Sequence, residues 1–453
     1  MRKRAHWGSR VGFILAVAGS AVGLANIWRL PYVVGENGGA AFLIVYLICL
    51  ALIGFPVFMS EIVIGRTTQL SPGKAFHQIG GSRFWSWIGY GTIITGFLVS
   101  SFYSVVAGWI LGYLVESIRG NITSLSYASE AIDHYNGLIE NPFWGVGFHA
   151  LFLVICVGVL FLGVKRGIEQ GNKVMMPSLL IILILLVIKG VSLPNASEGI
   201  RYLLSPDWSE LTPKAIMIAL GQAFFTLSLG QGTMVTYGSY LNKEENLVTS
   251  CFPVVIVDTG VSLLAAIAVF SIVFAGGMQP DSGPGLIFHT LPLIFSQIPG
   301  GYLFAVMFFL LVLLAAITSQ ISAMEPTIAY FQDELGWGRH LSTTVCGALV
   351  FLAGIPSALS YSMMRSCTFF DCNFLDFMSM LCSSFLIPLG GFFAVILVGW
   401  VWGTNNAIAQ IKQGASDLFQ RKPWLKTYFR FCFKYAAPIL MLFVFLNALG
   451  LFL

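Results

Sequence analysis

Long apolar stretches separated by short polar segments dominate this chain of 453 residues. A helix that crosses the hydrocarbon core of a bilayer needs about 20 mainly apolar residues. The pattern predicts about eleven such helices, so the expected fold class is an all-α integral membrane protein. The predicted spans are residues 10–34, 40–65, 85–118, 144–163, 168–190, 213–238, 247–275, 300–332, 342–360, 374–402 and 434–453.

Two of these spans carry glycines and small polar residues near their middles, at 19–26 in the first and at 225–232 in the sixth. Within hydrocarbon, an interrupted backbone is tolerated only where it is buried in protein or lines a cavity. The two spans open successive blocks of five, and interrupted helices at matching positions of two halves indicate the central site of a transporter. Because five is odd, the blocks must have opposite topology. The prediction is a 5+5 inverted repeat with broken helices 1 and 6: residues 1–190 hold helices 1–5, residues 191–402 hold helices 6–10, and residues 403–453 form a cytoplasmic linker and helix 11.

Gly19 and Gly23 also fit a GxxxG face at which two helices pack closely. A packing face does not explain the polar residues Asn26, Thr226 and Gln231. Two interrupted helices would explain them, as polar side chains beside the helix ends. Such ends offer free carbonyl groups to a cation and free N–H groups to an anion. The two interrupted spans therefore predict a site for an ion and a small solute.

Composition supports a membrane location and limits the partners. Only 10% of the residues are charged, against about 25% in soluble domains. Of the 24 Lys and Arg residues, 18 fall in segments on the side of the N-terminus, 5 fall on the opposite side, and Arg29 ends the first span. Because positive charge concentrates on the cytoplasmic side, we expect a multi-pass protein of the cell membrane with its N-terminus cytoplasmic and its C-terminus outside. The chain has no basic cluster with interleaved aromatic residues, so its expected partner is the lipid bilayer and not nucleic acid.

The polar residues do not form the patterns of an enzyme, and no catalytic residue is expected. The six His residues are dispersed and the eight Cys residues include no CxxC motif, which argues against a zinc site. Cys367 and Cys372 could form a disulfide in an outer loop or remain free thiols. A channel, which would conduct faster than a carrier turns over, and a transport-dead sensor are the remaining alternatives.

Three stretches resemble the signature motifs of the neurotransmitter:sodium symporter family, especially its bacterial amino-acid transporter branch. They read RVGFILAVAGSAVGLANIWRLPY at 10–32, ENGGAAF at 36–42 and GQAFFTLSLG at 221–230. The resemblance extends over spans one to ten. It implies a sodium-coupled symporter of a small-molecule substrate that works by alternating access.

The resemblance further implies two sodium sites built from oxygen ligands, which suit this hard cation. The first would use the carbonyl of Ala21, Thr226, and the side chains of Asn26 and Asp258. The second would use the carbonyls of Gly19, Val22 and Ala315 and the hydroxyls of Thr318 and Ser319. Taken alone, Thr318 and Ser319 would also fit hydrogen bonding between packed helices.

Asp258 departs from the pattern of the family. Many members have Asn at this position and need a nearby chloride, whereas chloride-independent members carry an acid one turn further on, where this chain has Ser262. An ionisable side chain inside a membrane is costly and functional by default. We therefore expect Asp258 to supply the negative charge itself and chloride to be dispensable. The alternative is a protonated carboxyl group packed within a helix.

The resemblance places the substrate between the two broken helices. The carboxylate of an amino acid would meet backbone amides near Leu24 and Ala25, the hydroxyl of Tyr103 and one sodium ion. The predicted substrate-binding set is Gly23, Leu24, Ala25, Val99, Tyr103, Phe225, Ser228, Gln231, Ser319 and Ala323.

Four of these residues bear on the identity of the substrate. Gly23 stands where monoamine carriers have an Asp that pairs with the amine, which disfavours a monoamine. Ala323 and Gln231 replace bulky apolar residues of leucine carriers, which leaves room for a ring and a hydrogen bond to an indole N–H or a phenol. Ala25 replaces a glycine, and its methyl group could crowd the carboxylate. We expect an aromatic or large aliphatic L-amino acid; a related aromatic solute without a carboxylate is the alternative.

Charged residues near both faces of the membrane predict gates. Topology places Arg29 and Asp376 on the outer side and Arg4 and Asp333 on the inner side, and the resemblance pairs them. Exposed pairs contribute only about 0–1 kcal/mol, which suits contacts that must open. Solvated loop charges are the alternative.

The resemblance assigns supporting roles to further residues. Tyr103 and Phe225 would form a lid over the substrate, and the inner gate would be surrounded by Trp7, Ser239 and Tyr240. Gly167 and Pro177 would let the fifth helix unwind from the inside, since both residue types weaken helices. Glu61 would tie the broken first helix through hydrogen bonds.

Overall fold

The computed structural model describes residues 4–277 and 286–450, and 81% of it is helical. In chain order the helices are α1 (Arg10–Ala21), α2 (Ala25–Glu36), α3 (Ala40–Thr68), α4 (Pro72–Gly80), α5 (Arg83–Ile118), α6 (Ala128–Ile139), α7 (Pro142–Phe161), α8 (Val164–Val191), α9 (Ala196–Leu204), α10 (Pro213–Phe225), α11 (Thr233–Ser239), α12 (Leu247–Ala275), α13 (Leu291–Gln297), α14 (Gly301–Asp333), α15 (Arg339–Ala358), α16 (Phe374–Val401), α17 (Thr404–Lys412), α18 (Ser416–Arg421) and α19 (Trp424–Ala448). Two short strands, β1 (Thr368–Phe369) and β2 (Cys372–Asn373), pair in antiparallel register.

Nine of the described helices are long and apolar enough to span a membrane by themselves: α3, α5, α7, α8, α12, α14, α15, α16 and α19. α1 and α2 form a further span that bends by 63° at its break. α10 and α11, separated by residues 226–232, form the last. The all-α membrane fold is therefore confirmed, and the helix count agrees with the prediction. The division into two inverted repeats at 1–190 and 191–402 stays a prediction.

The final helix begins at Trp424 and not at residue 434 as the hydropathy pattern predicts. Its first turns bury Leu425 and Phe429 while the residues between them are largely exposed. Such an amphipathic segment is helical through packing of one face, although its mean hydropathy is low. Hydropathy alone therefore misses the start of this helix.

The helices form an inner bundle with lipid-facing helices around it. Val154 of α7 and Val174 and Ile181 of α8 are 67%, 68% and 60% exposed, as expected for contact with lipid tails. By contrast, most residues of α1 and α14 are buried; both helices contact α8, and α1 also contacts α12. Any polar group on α1 or α14 must consequently find its partner inside the protein.

The first break removes the helical hydrogen bonds of several carbonyl groups. The last backbone bond of α1 joins the Val22 amide to the Ala18 carbonyl at 2.7 Å. The Gly23 amide turns to Asn26 Oδ1 at 3.0 Å instead of continuing the helix. The Gly19 carbonyl thereby loses the donor that an unbroken helix would provide.

The second break contains three residues in the left-handed region, with φ of 53° at Ser228, 73° at Gly230 and 76° at Gly232. Glycine adopts this conformation without penalty, whereas serine does so at a cost. The Ser228 hydroxyl donates to the Ser20 carbonyl at 2.7 Å and so joins the two breaks. A Cβ at Gly230 would lie 1.9 Å from the Ile387 carbonyl, which leaves room only for glycine.

The β1–β2 hairpin lies between α15 and α16 and precedes Asp376. Phe370 and Asp371 form its turn, both with positive φ. Cys367 is exposed and Cys372 half-buried, and both are free thiols in this structure. The sequence leaves open whether Cys367 and Cys372 form a disulfide, and in this structure they do not.

Candidate ion and ligand site

A cavity of about 60 Å³ lies between the two breaks. All ten predicted substrate-binding residues line it: Gly23, Leu24, Ala25, Val99, Tyr103, Phe225, Ser228, Gln231, Ser319 and Ala323. Sequence reasoning missed four further lining residues, namely Ser20, Ala21, Leu229 and Ile387. Ser20 and Leu229 lie within the two breaks at 19–26 and 225–232, so the positions of the breaks could have identified them as lining residues. Ile387 is one apolar residue of the apolar helix α16, and nothing in the sequence distinguishes it from its neighbours.

The cavity is polar at one end and apolar at the other. The Tyr103 hydroxyl is buried beside Ser319 and the Leu24 amide but makes no hydrogen bond of ordinary geometry. Gln231 Oε1 is likewise buried without a partner among the residues described. Val99 and Ala323 contribute apolar walls. The cavity therefore suits a solute with one polar end, an apolar body and a hydrogen-bond donor.

The start of α2 faces the polar end of this cavity. Its first turn, Ala25–Arg29, is π-helical, and the amides of Leu24 and Ala25 precede the closed hydrogen-bonded turns. Helix N-termini carry free N–H groups and partial positive charge. Ala25 lines the cavity as well, and the crowding of a carboxylate by its methyl group stays a prediction.

Asp258 lies at the centre of a buried polar cluster beside the cavity. Its side chain is fully buried, and Oδ1 accepts from Asn26 Nδ2 at 2.7 Å. The Thr226 hydroxyl lies 3.1 and 2.9 Å from the two carboxylate oxygens. Asn26 Nδ2 also lies 3.1 Å from the Thr226 hydroxyl. These are the three side chains predicted for the first sodium site, and they converge with no basic residue among the contacts.

Sequence reasoning missed further polar residues around Asp258. Ser262 lies one turn along α12 and accepts from Asn26 Nδ2 at 2.7 Å. The Tyr46 hydroxyl is buried close to Asp258 and Thr226. A Tyr within an apolar span matches no sequence motif, so its position beside Asp258 becomes apparent only from the fold. The cluster thus offers an amide and a hydroxyl group as hydrogen-bond donors to the carboxyl group of Asp258.

The second predicted ion site lies where α14 meets the first break. The Thr318 hydroxyl donates to the Ala315 carbonyl at 3.0 Å. The Ser319 hydroxyl lies 3.3 Å from the Val22 carbonyl. A Cβ at Gly19 would lie 3.2 Å from Thr318 Cβ. The structure thus places Thr318 beside Ala315 and Gly19, and Ser319 beside Val22. The close approach of Gly19 explains why a packing face and an ion site fit the same glycine.

A larger cavity, of about 440 Å³, lies above the first and contains the predicted outer gate. Arg29 and Asp376 both line it, but they form no ion pair in the described part of the chain. The Arg29 guanidinium instead lies 5.6 Å from the centre of the Phe225 ring. The expected pairing is therefore not made in this conformation, in which the Arg29 guanidinium lies against Phe225.

Asp376 has neutral partners at this outer cavity. It accepts from Asn373 Nδ2 at 2.7 Å and from the Tyr361 hydroxyl at 3.4 Å. Burial, and then the charge of Asp376, raise the pKa of Tyr361, so its phenol stays protonated and remains a donor. Tyr103 and Phe225 line both cavities and lie between them, where the predicted lid should be.

The inner side is closed by an N-terminal strap, residues 4–9. Arg4 contacts Asp333 through an ion pair, and its Nη2 donates to the Ser239 hydroxyl at 2.6 Å. Its guanidinium also lies 4.8 Å from the centre of the Tyr240 ring. The Trp7 indole is buried and donates to the Tyr237 carbonyl at 3.1 Å. The predicted inner pair and its surroundings are thus all in contact.

A buried ion pair that sequence reasoning missed lies behind this strap. Arg339 donates to both Glu325 oxygens, at 2.6 and 2.8 Å, and Glu325 also accepts from the Tyr240 hydroxyl at 2.7 Å. Glu325 lies inside the predicted span 300–332, and an acid inside a span is a signal of function. If this rule is applied to every acid within a span, and not to Asp258 alone, it identifies Glu325 from the sequence.

One supporting expectation stays a prediction and another turns out differently. α8 runs without interruption from Val164 through Gly167 and Pro177, so the unwinding expected of the fifth helix is not tested by this conformation. Glu61 accepts from the Gly230 amide at 2.7 Å and therefore ties the second break, not the first as expected. Its other oxygen is buried without a partner among the residues described. The structure thus has a cavity at the side of Arg29 and Asp376 and a contact between Arg4 and Asp333 at the other side.

The strap provides a first testable prediction. Arg4→Ala removes an ion pair and hydrogen bonds to Ser239, together about 1–2 kcal/mol for partly buried contacts. We expect amide hydrogen exchange at Trp7 and Gly8 to accelerate about tenfold, since their backbone amides are bonded in the closed form. Arg10→Ala is the matched control, because Arg10 is half-exposed and lies 3.7 Å from Glu245. Equal exchange in both variants would exclude Arg4 as a latch.

Comparison with known proteins agrees with this geometry. A profile of the sodium:neurotransmitter symporter family matches residues 4–134 and 145–452. The uncharacterized sodium-dependent transporter YhdH of Bacillus subtilis is 37% identical over 450 residues, which is 99% of each chain. An uncharacterized sodium-dependent transporter of Haemophilus influenzae is 34% identical and covers 99% of each chain.

The fold is also similar to that of a solved transporter. The crystal structure of MhsT in complex with L-phenylalanine superposes with a TM-score of 0.89 at 41% identity, covering 98% of this chain and 100% of the other. Two central breaks, a cavity between them and a match over nearly the whole chain agree in one assignment. The protein belongs to the sodium:neurotransmitter symporter family and is a membrane transporter, not an enzyme.

Proposed function

We propose that this protein is a symporter that uses sodium to import a hydrophobic or aromatic L-amino acid, without a requirement for chloride. The observation that carries the proposal is the cavity between the breaks. At one end it has the start of α2 and the Tyr103 hydroxyl, at the other an apolar wall, and beside it the buried Asp258 cluster. The polar end suits a carboxylate, the apolar wall suits a large side chain, and the Asp258 cluster suits a cation.

Each part of the site has a role in this proposal. Two sodium ions would be held by the predicted oxygen sets around Asp258 and Thr318. The carboxylate of the substrate would bind the Leu24 and Ala25 amides, Tyr103 and the first sodium ion. Because the ions and the substrate share the ends of α1 and α2, each favours the same arrangement of the first break. Binding of sodium therefore strengthens binding of the substrate, and binding of the substrate strengthens binding of sodium to the same extent.

Movement between the two sides would use the gates described above. Binding would draw Phe225 over the substrate and Arg29 toward Asp376, which closes the outer cavity. Loss of the Arg4–Asp333 contact would then open the inner side. Unwinding of α8 near Gly167 would admit water to the second sodium site, and sodium would leave first.

An aromatic substrate is supported by the pocket and by one relative. Ala323 leaves space in the apolar wall, and the unpartnered Gln231 Oε1 can accept from an indole N–H or a phenol. MhsT, the similar transporter, was crystallised with L-phenylalanine. A plasma-membrane location with a cytoplasmic N-terminus and an outer C-terminus follows from the distribution of Lys and Arg, and the inverted repeat from the positions of the two breaks.

Flux into proteoliposomes tests the proposal. We expect uptake of labelled L-tryptophan or L-phenylalanine driven by an inward sodium gradient, none with potassium in place of sodium, and unchanged uptake when gluconate replaces chloride. Excess L-amino acids with aromatic side chains should compete, whereas tryptamine and phenethylamine should compete only weakly, at far higher concentrations. Binding without flux would instead indicate a sensor, and competition by tryptamine alone would indicate a solute without a carboxylate.

A further inference from the structure

An amide oxygen without a partner lies at the second ion site and belongs to α8. The Asn172 side chain is fully buried, and its Oδ1 has no hydrogen-bond partner among the residues that the structure describes. Its Nδ2 donates to the Ile168 carbonyl at 2.8 Å. Because a carbonyl only accepts, the NH₂ group must occupy that position and the oxygen must point away from its own helix.

The direction of this oxygen is set by its neighbours on α1 and α14. A Cβ added to Gly19 would lie 2.1 Å from Asn172 Oδ1 and 3.2 Å from Thr318 Cβ. The amide oxygen therefore approaches Gly19 as closely as the absence of a side chain allows. Gly19 and Thr318 are both predicted ligands of the second sodium ion. A fully buried oxygen with spare lone pairs thus joins their cluster from a third helix.

The neighbouring polar residue on the same face of α8 is engaged elsewhere. Glu169 accepts from the Gly8 amide at 2.5 Å, from the Ser9 hydroxyl at 2.9 Å and from Lys173 Nζ at 2.7 Å. Its carboxylate is committed to the N-terminal strap and to an ion pair. Asn172 lies one turn further along α8, and its Oδ1 has no hydrogen-bond partner among the described residues. Because buried acceptors normally have a partner, this oxygen is available to a ligand.

We propose that Asn172 Oδ1 is a ligand of the second sodium ion. The inference rests on the proposed sodium coupling and adds to it a ligand from α8. Amide oxygens suit hard cations, as carbonyl and hydroxyl oxygens do. Asn172 lies between Gly167 and Pro177, in the segment expected to unwind. Unwinding would therefore withdraw a ligand from the ion as well as admit water, so movement of α8 itself lowers sodium affinity.

Binding of radioactive sodium to the purified full-length protein tests this inference. We expect Asn172→Ala to weaken the second of the two sodium sites by about 10- to 100-fold, the range typical when a supporting group of a metal site is lost. The first site should be unchanged, and substrate should still bind at saturating sodium. Ser178→Ala is the matched control on the same helix, because the exposed Ser178 hydroxyl donates only to the Val174 carbonyl.

A second variant keeps the inference falsifiable if Asn172→Ala fails to fold. Asn172→Asp retains the oxygen and adds a charge, so it should bind sodium more tightly than the unmutated protein at the second site. Unchanged sodium binding by both variants would overturn the inference and indicate that water satisfies Asn172. Absence of sodium binding in the unmutated protein would instead overturn the proposed coupling, so the two failures are distinguishable.

Discussion

Asp258→Asn should abolish sodium-dependent substrate binding in chloride-free buffer and recover much of it when chloride is added. Asp258 is the only acid in contact with Asn26 and Thr226 in the described cluster, and it is fully buried. Removal of one partner of a buried charge pair costs about 3–5 kcal/mol. A loss of 3 kcal/mol corresponds to a fall in sodium affinity of ~100-fold.

The expected rescue by chloride has a physical reason in the surrounding groups. Asn26 Nδ2 and the Thr226 hydroxyl donate to the carboxylate, and the Tyr46 hydroxyl is buried nearby. While Asp258 is charged, a second anion in this cluster would be repelled. Once the residue is neutral, these donors are available to hold a chloride whose charge replaces the lost one. Isothermal titration with sodium, in chloride and in gluconate, measures both effects.

Thermal stability gives an independent readout of the same change. Without sodium, the buried carboxylate of the unmutated protein is uncompensated, and its removal should raise the melting temperature. With sodium, the unmutated protein should be stabilised by ligand binding and the variant should not. Asp133→Asn is the control, because Asp133 is an exposed acid on α6. Sodium binding by Asp258→Asn that equals the unmutated affinity without chloride would contradict the role given to Asp258.

The contacts among the polar residues of the candidate site could be anticipated from the sequence, because the fold leaves few alternatives for polar groups inside a membrane. Asn26, Thr226 and Asp258 lie far apart in the chain, yet each is a polar residue on a span and must find polar partners. The breaks at 19–26 and 225–232 are visible as glycine and small residues in otherwise apolar helices. These signals are strong because hydrocarbon tolerates no unsatisfied backbone.

Residues whose role depends on relative helix positions are harder to predict. Tyr46 and Asn172 stand in spans without a motif, and only the packing of α3 and α8 against the breaks reveals their partners. Glu61 was assigned to the wrong break because a carboxylate in the second span can reach either one. Topology predicts that Arg29 and Asp376 lie on the same side, and both line one cavity. Whether they touch depends on conformation, which a sequence does not specify.

Tyr103→Phe should weaken binding of an amino-acid substrate by about 10- to 100-fold. The hydroxyl is buried at the polar end of the cavity without a hydrogen bond of ordinary geometry, so the proposed substrate carboxylate is its missing partner. A hydrogen bond to a charged group contributes about 1.5–3 kcal/mol, which corresponds to ~10- to 100-fold in affinity. Because the hydroxyl has no protein partner to leave unsatisfied, the variant should fold with undiminished stability.

The choice of ligand makes this prediction specific for the carboxylate. Binding of L-phenylalanine should fall in Tyr103→Phe, whereas the weak binding of phenethylamine, which lacks the carboxylate, should stay unchanged. Tyr90→Phe is the matched control, since Tyr90 lies on the same helix with its ring 5.8 Å from Tyr330, outside the cavity. Equal losses for both ligands would mean that the hydroxyl only shapes the pocket. No loss for either would remove Tyr103 from the carboxylate site and favour a substrate that has no carboxylate.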